Sequence, residues 1–435
     1  MTYVYGEADE ATLAQMERCM AAEEGAIGVL CADNHLGYSQ PIGGAVAYRD
    51  HISPSGVGYD IGCGNKAVRT PLLASEIEVG PVMDEVARRV SFGIGRANYE
   101  PVDHPVLDEI AAADFAPQRR MVQAARSQLG TVGSGNHYVD LFADEEDRVW
   151  VGVHFGSRGF GHKTASGFLA LAEGLQFTDR AADAPMHSPP VTFAIDSDLG
   201  QSYIEAMELA GRYAYAGRDV VVDKVLEILG TESVEEVHNH HNFAWREEHG
   251  GVDYWVVRKG CTPAFPGQRG FVGASMGEDS VILEGTESAE PGLFSTVHGA
   301  GRAMSRMKAA GKFRFRKRYA CMDRDCSRLF EPNDVRVVDG VAEGGVCPDH
   351  PEARVKNVRV SEQVREGLID FPTVQAELAA KGIELRGGAA DEAPAAYKRL
   401  DEVLEAHGET IRVIHRLRPL GVAMAGAGTV DPYRD

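Results

Sequence analysis

Asp60 and Cys63 stand three residues apart in SPSGVGYDIGCGNK. Four further loops carry histidines: GTVGSGNHYVDL around His137, VGVHFGSRGFGHK around His154, HNHHNFAWREEH around His241 and STVHGAGRAMSR around His298. A carboxylate, a thiolate and imidazoles together suit borderline divalent ions such as Mn²⁺ or Zn²⁺, and a thiolate can bridge two of them. The adjoining glycines let the backbone approach an ion closely. One histidine among 15, or one Asp-x-x-Cys, is more often a satisfied polar group than a ligand. Five such loops in one chain, most with Gly or Asn beside the candidate, point to a constructed metal site.

Gly130 to His137 and Gly299 to Arg302 also read as phosphate cradles, because glycine-rich turns present consecutive N–H groups to an anion. The chain has 49 glycines, so some such matches arise by chance. His298 opens the second cradle, beside Arg302, which suits attack by an imidazole nitrogen on a phosphoryl group. Standing alone, the same motif would read as a helix-capping histidine.

Length and composition set the frame for these loops. At 435 residues, with 44% hydrophobic and 25% charged residues, the chain fits one large α/β domain or two to three average ones. No stretch reaches the roughly 18 apolar residues that cross a bilayer, and MTYVYGEADEATLAQ has no basic region before an apolar run. The expectation is a cytoplasmic protein with no membrane contact, and a monomer. The net charge of -21 argues against nonspecific coating of nucleic acid, which rests on Lys and Arg neutralising phosphates. One local exception is Lys308 to Arg318, KAAGKFRFRKR, with six bases and no acid; it reads as a solvated strand or helix end, or as an RNA contact. Seven cysteines, an odd number, make a disulfide framework improbable.

Periodicity predicts helices over 11–24, 81–90, 118–129, 167–173, 200–229, 302–309, 374–381 and 394–407, and a closing strand over 411–423. Short apolar runs between Gly-rich turns, at 25–64, around Gly130, and at 149–161, 252–260 and 271–285, read as strands and tight loops. No sustained βαβ rhythm runs through them, so the expected fold class is α+β, a layered domain of mixed sheets and helices. A compositional break over 311–358 divides a catalytic domain of 1–310 and 359–435 from an inserted basic, cysteine-rich module.

Taken in order, DNHLGYSQPIGG, SPSGVGYDIGCG, GTVGSGNH, HFGSRGFGH, HHNFA, RKGCTPAFPG, SMG, STVHGAGRAMSR, APAAYKRLDEV and LRPLGV resemble the RtcB family of RNA-splicing and RNA-repair ligases across almost the whole chain. The resemblance implies a single large domain with a central metal and nucleotide cleft. It implies that Cys63 bridges two Mn²⁺ ions, with Asp60 and His137 completing one site and His154 and His241 the other. It implies that His298 takes GMP from GTP, passes it to an RNA 3′-phosphate made by opening a 2′,3′-cyclic phosphate, and that a 5′-hydroxyl then displaces GMP. Asn136, His137, Tyr138, Asp140, His241, Asn242, Gly273, Ala274, Ser275, Met276, Ser280, His298, Gly299, Ala300, Gly301 and Tyr397 match positions that contact the nucleotide.

The departures fall at the base. Where the family ends in Lys-Gly after its LRP segment, with the lysine on guanine, this chain has about Met424, then Ala425 and a longer tail. A family glutamate is replaced by the shorter Asp140. Buried polar contacts set base discrimination, so a weakened preference for GTP over other nucleoside triphosphates is expected, in a diverged paralogue. Gly62 stands where the family carries Gly or Asn.

Within the insertion, Cys321, Cys326, Cys347 and His350 have the spacing C-x4-C-x20-C-x2-H, close to a structural zinc knuckle or ribbon. Asp325 and Asp349 are competing ligands, and free thiols in an ordinary loop are the plain alternative. Cys19, Cys31 and Cys261 carry no role. Two other functions fit the same residues: a nucleotidyltransferase that caps 3′-phosphate ends of RNA or DNA without sealing, and a catalytically reduced metal-binding regulator.

Overall fold

The computed structural model describes residues 2–181, 188–323, 326, 328–335, 337–338, 341–342, 347–351 and 355–427. Asp325 and the tail beyond 427 lie outside them.

Two sheets carry the architecture. The larger runs in the order Glu235–His240, Gly64–Leu73, Arg148–Phe155, Tyr138–Ala143, Ile411–Gly426, Ser280–Gly285 and Arg269–Val272, with Glu384–Gly388 lying parallel to Ile411–Gly426. Its edges are joined by side-chain amides. Asn239 donates to the Arg269 carbonyl at 3.0 Å and accepts from the Phe271 amide at 3.3 Å, while Asn65 donates to the Phe271 carbonyl at 2.8 Å. The sheet is thereby nearly closed, with no bare edge at that seam.

The second sheet orders Thr2–Val4, Ile27–His35, Ile42–Tyr48, Val252–Lys259 and Asn242–His249. The chain crosses from the first sheet to the second at His241, between Glu235–His240 and Asn242–His249. That crossing places the cleft where the sheets meet.

A 32-residue helix, Asp198–Leu229, backs the larger sheet. The Ser197 hydroxyl accepts from the Gly200 amide at 3.0 Å at its start, and Gly230 ends it at φ 65°. Val221, Val222 and Val225 on the helix pack with Val151, Val153 and Phe155 of the sheet. Tyr203 and Tyr213 join a second core with Phe160 and Phe168. Each such side chain contributes roughly 1.5–3 kcal/mol of transfer free energy, which makes this layer the rigid floor of the cleft.

Several expected elements are altered. The 302–309 helix begins only at Arg306, capped by Ser305, because Arg302 is bridged to Tyr397 instead. The 394–407 helix is a short turn at Pro394–Ala396 followed by Leu400–Glu405; Lys398 between them donates its amide to the Gly301 carbonyl at 2.9 Å. The 118–129 helix is two pieces, Ala116–Arg119 and Val122–Gln128. Arg158 to Gly161, expected in a strand or loop, form the first turn of the helix Arg158–Ala172.

The insertion is an antiparallel ribbon. Gly311–Cys321 pairs with Val355–Glu366 from Gly311 opposite Glu366 to Cys321 opposite Val355. The expected boundary at 358 therefore falls inside a strand that continues to Glu366. In the basic run, Lys308 to Ala310 close a short helix and Lys312 to Arg318 are strand.

Candidate metal and nucleotide site

The residues from five loops converge on one cleft of about 300 Å³. Asp60, Cys63, Asn136, His137, Tyr138, Asp140, His154, His241, Asn242, Gly273, Ala274, Ser275, Met276, His298, Gly299, Ala300, Gly301 and Tyr397 line it. Ser280 does not: its hydroxyl sits behind the wall and accepts from the Ala274 amide at 3.0 Å. It braces the 273–276 loop rather than touching the cavity.

The Cys63 thiol is common to two donor groups. One comprises Asp60, Cys63 and His137, the other Cys63, His154 and His241, and within each the ligand atoms lie within 4.8 Å of one another. Cys63 Sγ is 3.7 Å from Nε2 of both His137 and His154, and Asp60 Oδ2 is 3.1 Å from His137 Nε2. One thiolate flanked by a carboxylate and three imidazoles fits a pair of borderline divalent ions that share the sulfur.

Local chemistry sets each donor. The turn Asp60 to Cys63 closes with the Cys63 amide on the Asp60 carbonyl at 3.0 Å, and Gly62 takes φ 69°, a region open to Gly and Asn. Beneath it lies Arg218, fully buried in the long helix, donating to the carbonyls of Gly62 at 2.9 Å and Phe155 at 2.6 Å. His154 Nδ1 meets Asn65 Oδ1 at 2.5 Å, which leaves Nε2 as the lone-pair nitrogen facing the sulfur. At Gly133 an added Cβ would lie 2.0 Å from His137 Nδ1, so only glycine admits that ring.

Burial, reinforced by neighbouring histidines, drives His154 and His241 far below the usual imidazole range, so both are neutral, as ligands must be. Burial would raise the Asp60 carboxyl, but His137, Arg158 and Cys63 together hold it at about 2. Burial, and then Asp60, push the Cys63 thiol well up. Ionising it calls for a nearby cation beyond Arg218.

His298 is held by a residue that sequence reasoning did not single out. Asp33, fully buried, accepts from the His298 backbone amide at 3.1 Å and meets its Nδ1 at 2.7 Å. Nδ1 is thereby occupied, and Nε2 is the nitrogen left for the cavity. The His298 ring lies 4.7 Å from that of His241, next to the donor cluster. Gly301 follows at φ 74°, where a Cβ would strike the Asp33 carbonyl at 2.3 Å. The signal was present in DNHLGYSQPIGG, but nothing in spacing ties Asp33 to a residue 265 positions away.

Arg302, which closes the expected cradle beside His298, lines the cavity and is held in place: it donates to Tyr397 Oη at 3.0 Å and to the Asp391 carbonyl at 2.8 Å. Arg306 binds Asp391 and Glu392, and Tyr397 Oη donates to Glu392. At the opposite wall, burial pushes Asp140 well above the usual carboxylate range despite the Ala423 amide. Asp140 Oδ1, Tyr138 Oη, His137 Nδ1 and His241 Nδ1 are buried with no protein partner, and these four residues all line this one cleft. Four such residues around one cavity suit a polar ligand. Met424, opposite Tyr138 in the strand ladder, lines the same wall.

The four insertion residues also come together. Cys321, Cys326, Cys347 and His350 present ligand atoms within 4.8 Å of one another. Asp349 is turned away, in an ion pair with Arg328 at 2.7 Å. Cys19, Cys31 and Cys261 are buried and belong to neither group.

The chain matches the family described as tRNA-splicing ligase RtcB over residues 18–116 and 107–343. The RNA-splicing ligase RtcB of Escherichia coli is 28% identical over 415 aligned positions, covering 89% of this chain and 87% of the relative. The tRNA-splicing ligase RtcB of Pyrobaculum aerophilum is 30% identical over 518, covering 95% and 93%, and that of Archaeoglobus fulgidus 30% over 478, covering 90% and 86%. With this collinear likeness and the shared-thiolate cleft in place, the chain belongs to the RtcB RNA-splicing ligase family.

Proposed function

We propose that the chain joins RNA ends through a covalent His298–GMP intermediate, with GTP as the nucleotide and two Mn²⁺ ions held by Asp60, Cys63, His137, His154 and His241. The observation that carries this reading is the Asp33–His298 pair, which leaves His298 Nε2 toward a cleft of unpartnered polar atoms. When bound, the ions polarise phosphoryl oxygens and neutralise charge that develops on them.

His298 Nε2 attacks the α-phosphorus of GTP, an N–P bond forms and the bond to pyrophosphate breaks. Asp33 stabilises the positive charge that the ring gains, as a buried carboxylate does for an imidazolium. The 3′-phosphate of an RNA strand, made by opening a 2′,3′-cyclic phosphate, next attacks that phosphorus and releases His298. A 5′-hydroxyl then attacks the 3′-phosphorus of the capped end and GMP departs, sealing the strand. Gly299 to Gly301 contribute backbone N–H groups to phosphate oxygens, and Asp140 and Tyr138 offer the open polar atoms for the base.

The test is labelling of the protein with α-labelled GTP and Mn²⁺, followed by a sealing assay on a 3′-phosphate strand and a 5′-hydroxyl partner. Acid-labile label on the wild type, none on His298→Ala, and a joined product are expected. Label that survives His298→Ala refutes the covalent step. A capped 3′ end of RNA or DNA that accumulates beside its 5′-hydroxyl partner replaces joining by capping. With Met424 and Asp140 at the base wall, ATP labels His298 to a substantial fraction of GTP; exclusive labelling by GTP rejects relaxed specificity.

A further inference from the structure

The ribbon 311–366 holds its own cluster of soft ligands, and that cluster is independent of how the central cleft is read. Cys326 Sγ and Cys347 Sγ are 3.7 Å apart, and Cys347 Sγ is 3.7 Å from His350 Nδ1. All four ligand atoms, with Cys321, fall within 4.8 Å. A tetrahedral zinc ion, with Zn–S about 2.3 Å and Zn–N about 2.0–2.1 Å, sets its ligands about 3.5–3.8 Å apart. A disulfide needs about 2.05 Å, so the sulfurs stand at ligand spacing rather than bonding distance.

Three further features agree. Cys321 and Cys347 are buried although little protein surrounds them: Tyr319, Val335 and Val355, with Phe330 against them, are the described core of the module. A core that small does not hold some fifty residues in one conformation without a staple. The ligands also sit on tight turns, with the Cys326 amide on the Asp323 carbonyl at 3.3 Å and the His350 amide on the Cys347 carbonyl at 3.2 Å. His350 Nε2, the nitrogen not facing the sulfur, lies 3.7 Å from Asp323 Oδ1, as the outer nitrogen of a metal-bound histidine commonly meets a carboxylate.

We propose that Cys321, Cys326, Cys347 and His350 bind one structural Zn²⁺ ion that fixes the end of the inserted ribbon. No ligand position is left for substrate, so the ion organises structure and takes no part in the chemistry of the cleft. The ribbon joins the cleft through the helix Arg306–Ala310, whose Arg306 lines the cavity, so the ion stiffens an arm that rises from its rim.

The experiment uses the full chain, purified from zinc-supplied cells, treated with a weak chelator and exchanged into excess Mn²⁺ to clear the open central cleft, with zinc counted per chain by mass spectrometry. About one zinc per chain is expected to survive exchange, in the wild type and in Cys63→Ala alike. Cys347→Ser and His350→Ala lower it at least about tenfold, while His298 labelling persists and reports an intact main domain. Cobalt substitution gives a second readout: intense thiolate-to-cobalt absorption that survives Cys63→Ala and disappears when Cys347→Ser is added to Cys63→Ala. Hydrogen exchange in the wild type rises across 311–366 on zinc removal and stays unchanged elsewhere. Absence of exchange-resistant zinc in the wild type, or equal zinc in wild type and Cys347→Ser, overturns the proposal. Neither result touches the reading of the cleft, which fails on His298 labelling instead.

Discussion

The central cleft and the inserted ribbon each gather cysteine and histidine, but they reach the geometry by opposite routes. In the cleft, Asp60, Cys63, His137, His154, His241 and His298 come from strand ends and crossings spread over 239 positions of sequence. They are positioned by buried partners that exist without any ion: Arg218 under the Cys63 turn, Asn65 on His154, Asp33 on His298. In the ribbon, four ligands fall within 30 positions on local turns over a core of a few side chains. The first site is prepaid by the fold, whereas the second has little fold beneath it and, under the zinc proposal, would depend on its ion. Pre-organisation of that kind is what chemistry needs, since a misplaced nucleophile loses rate steeply.

Breaking the cleft's preparation gives the largest effect. Asp33→Asn leaves His298 in place but removes the charge that fixes its tautomer. His298 labelling falls about 10²–10⁴-fold while nucleotide binding changes little; equal losses in binding and labelling in a titration would mean that Asp33 only supports the fold. Arg218→Met comes next, because it orphans the Gly62 and Phe155 carbonyls in a buried layer. It costs about 2–4 kcal/mol, read as a lower melting temperature, with ribbon hydrogen exchange unchanged. Should the ribbon loosen equally, the two regions are one cooperative unit and the contrast fails.

A third prediction sets pH against the same fold. His407 is buried and stacked on Tyr5, its Nε2 accepts from the Ala32 amide at 3.2 Å, and burial lowers its pKa to about 4. The unfolded ring takes its proton near pH 6.5 and the folded one near 4, so the unfolded state binds more protons between these values. The stability is present above pH 6.5 and is lost as pH falls to about 4, up to about 3 kcal/mol. Denaturant melts at stepped pH should show this slope, and His407→Gln should flatten it. The smallest change is Asp140→Glu, which lengthens the carboxylate by one methylene and raises the GTP-to-ATP labelling ratio about tenfold or less. An unchanged ratio removes Asp140 from base discrimination.

Patterns confined to a short stretch were legible in advance. The helix expected over 200–229 from its periodicity runs Asp198–Leu229, and the closing strand expected over 411–423 runs Ile411–Gly426. The reading of 302–309 and 394–407 as helices missed because their propensity is overridden: Gly301 and Arg302 pair with Tyr397 and Lys398 to form the cleft wall. Ser280 looked like a nucleotide contact by position and turned out to brace the loop from behind.

By itself the sequence determined which groups could do chemistry, where glycine was needed beside them, and that a cysteine-rich segment interrupts the chain. Tertiary structure alone decided which partners those groups meet: Asp33 with His298, Asn65 with His154, and one thiol shared between two donor sets. The physical reason is that side-chain types and local spacing act over a few residues. Orientation and charge at a buried nitrogen, in contrast, are set by contacts between strands that the chain brings together only on folding.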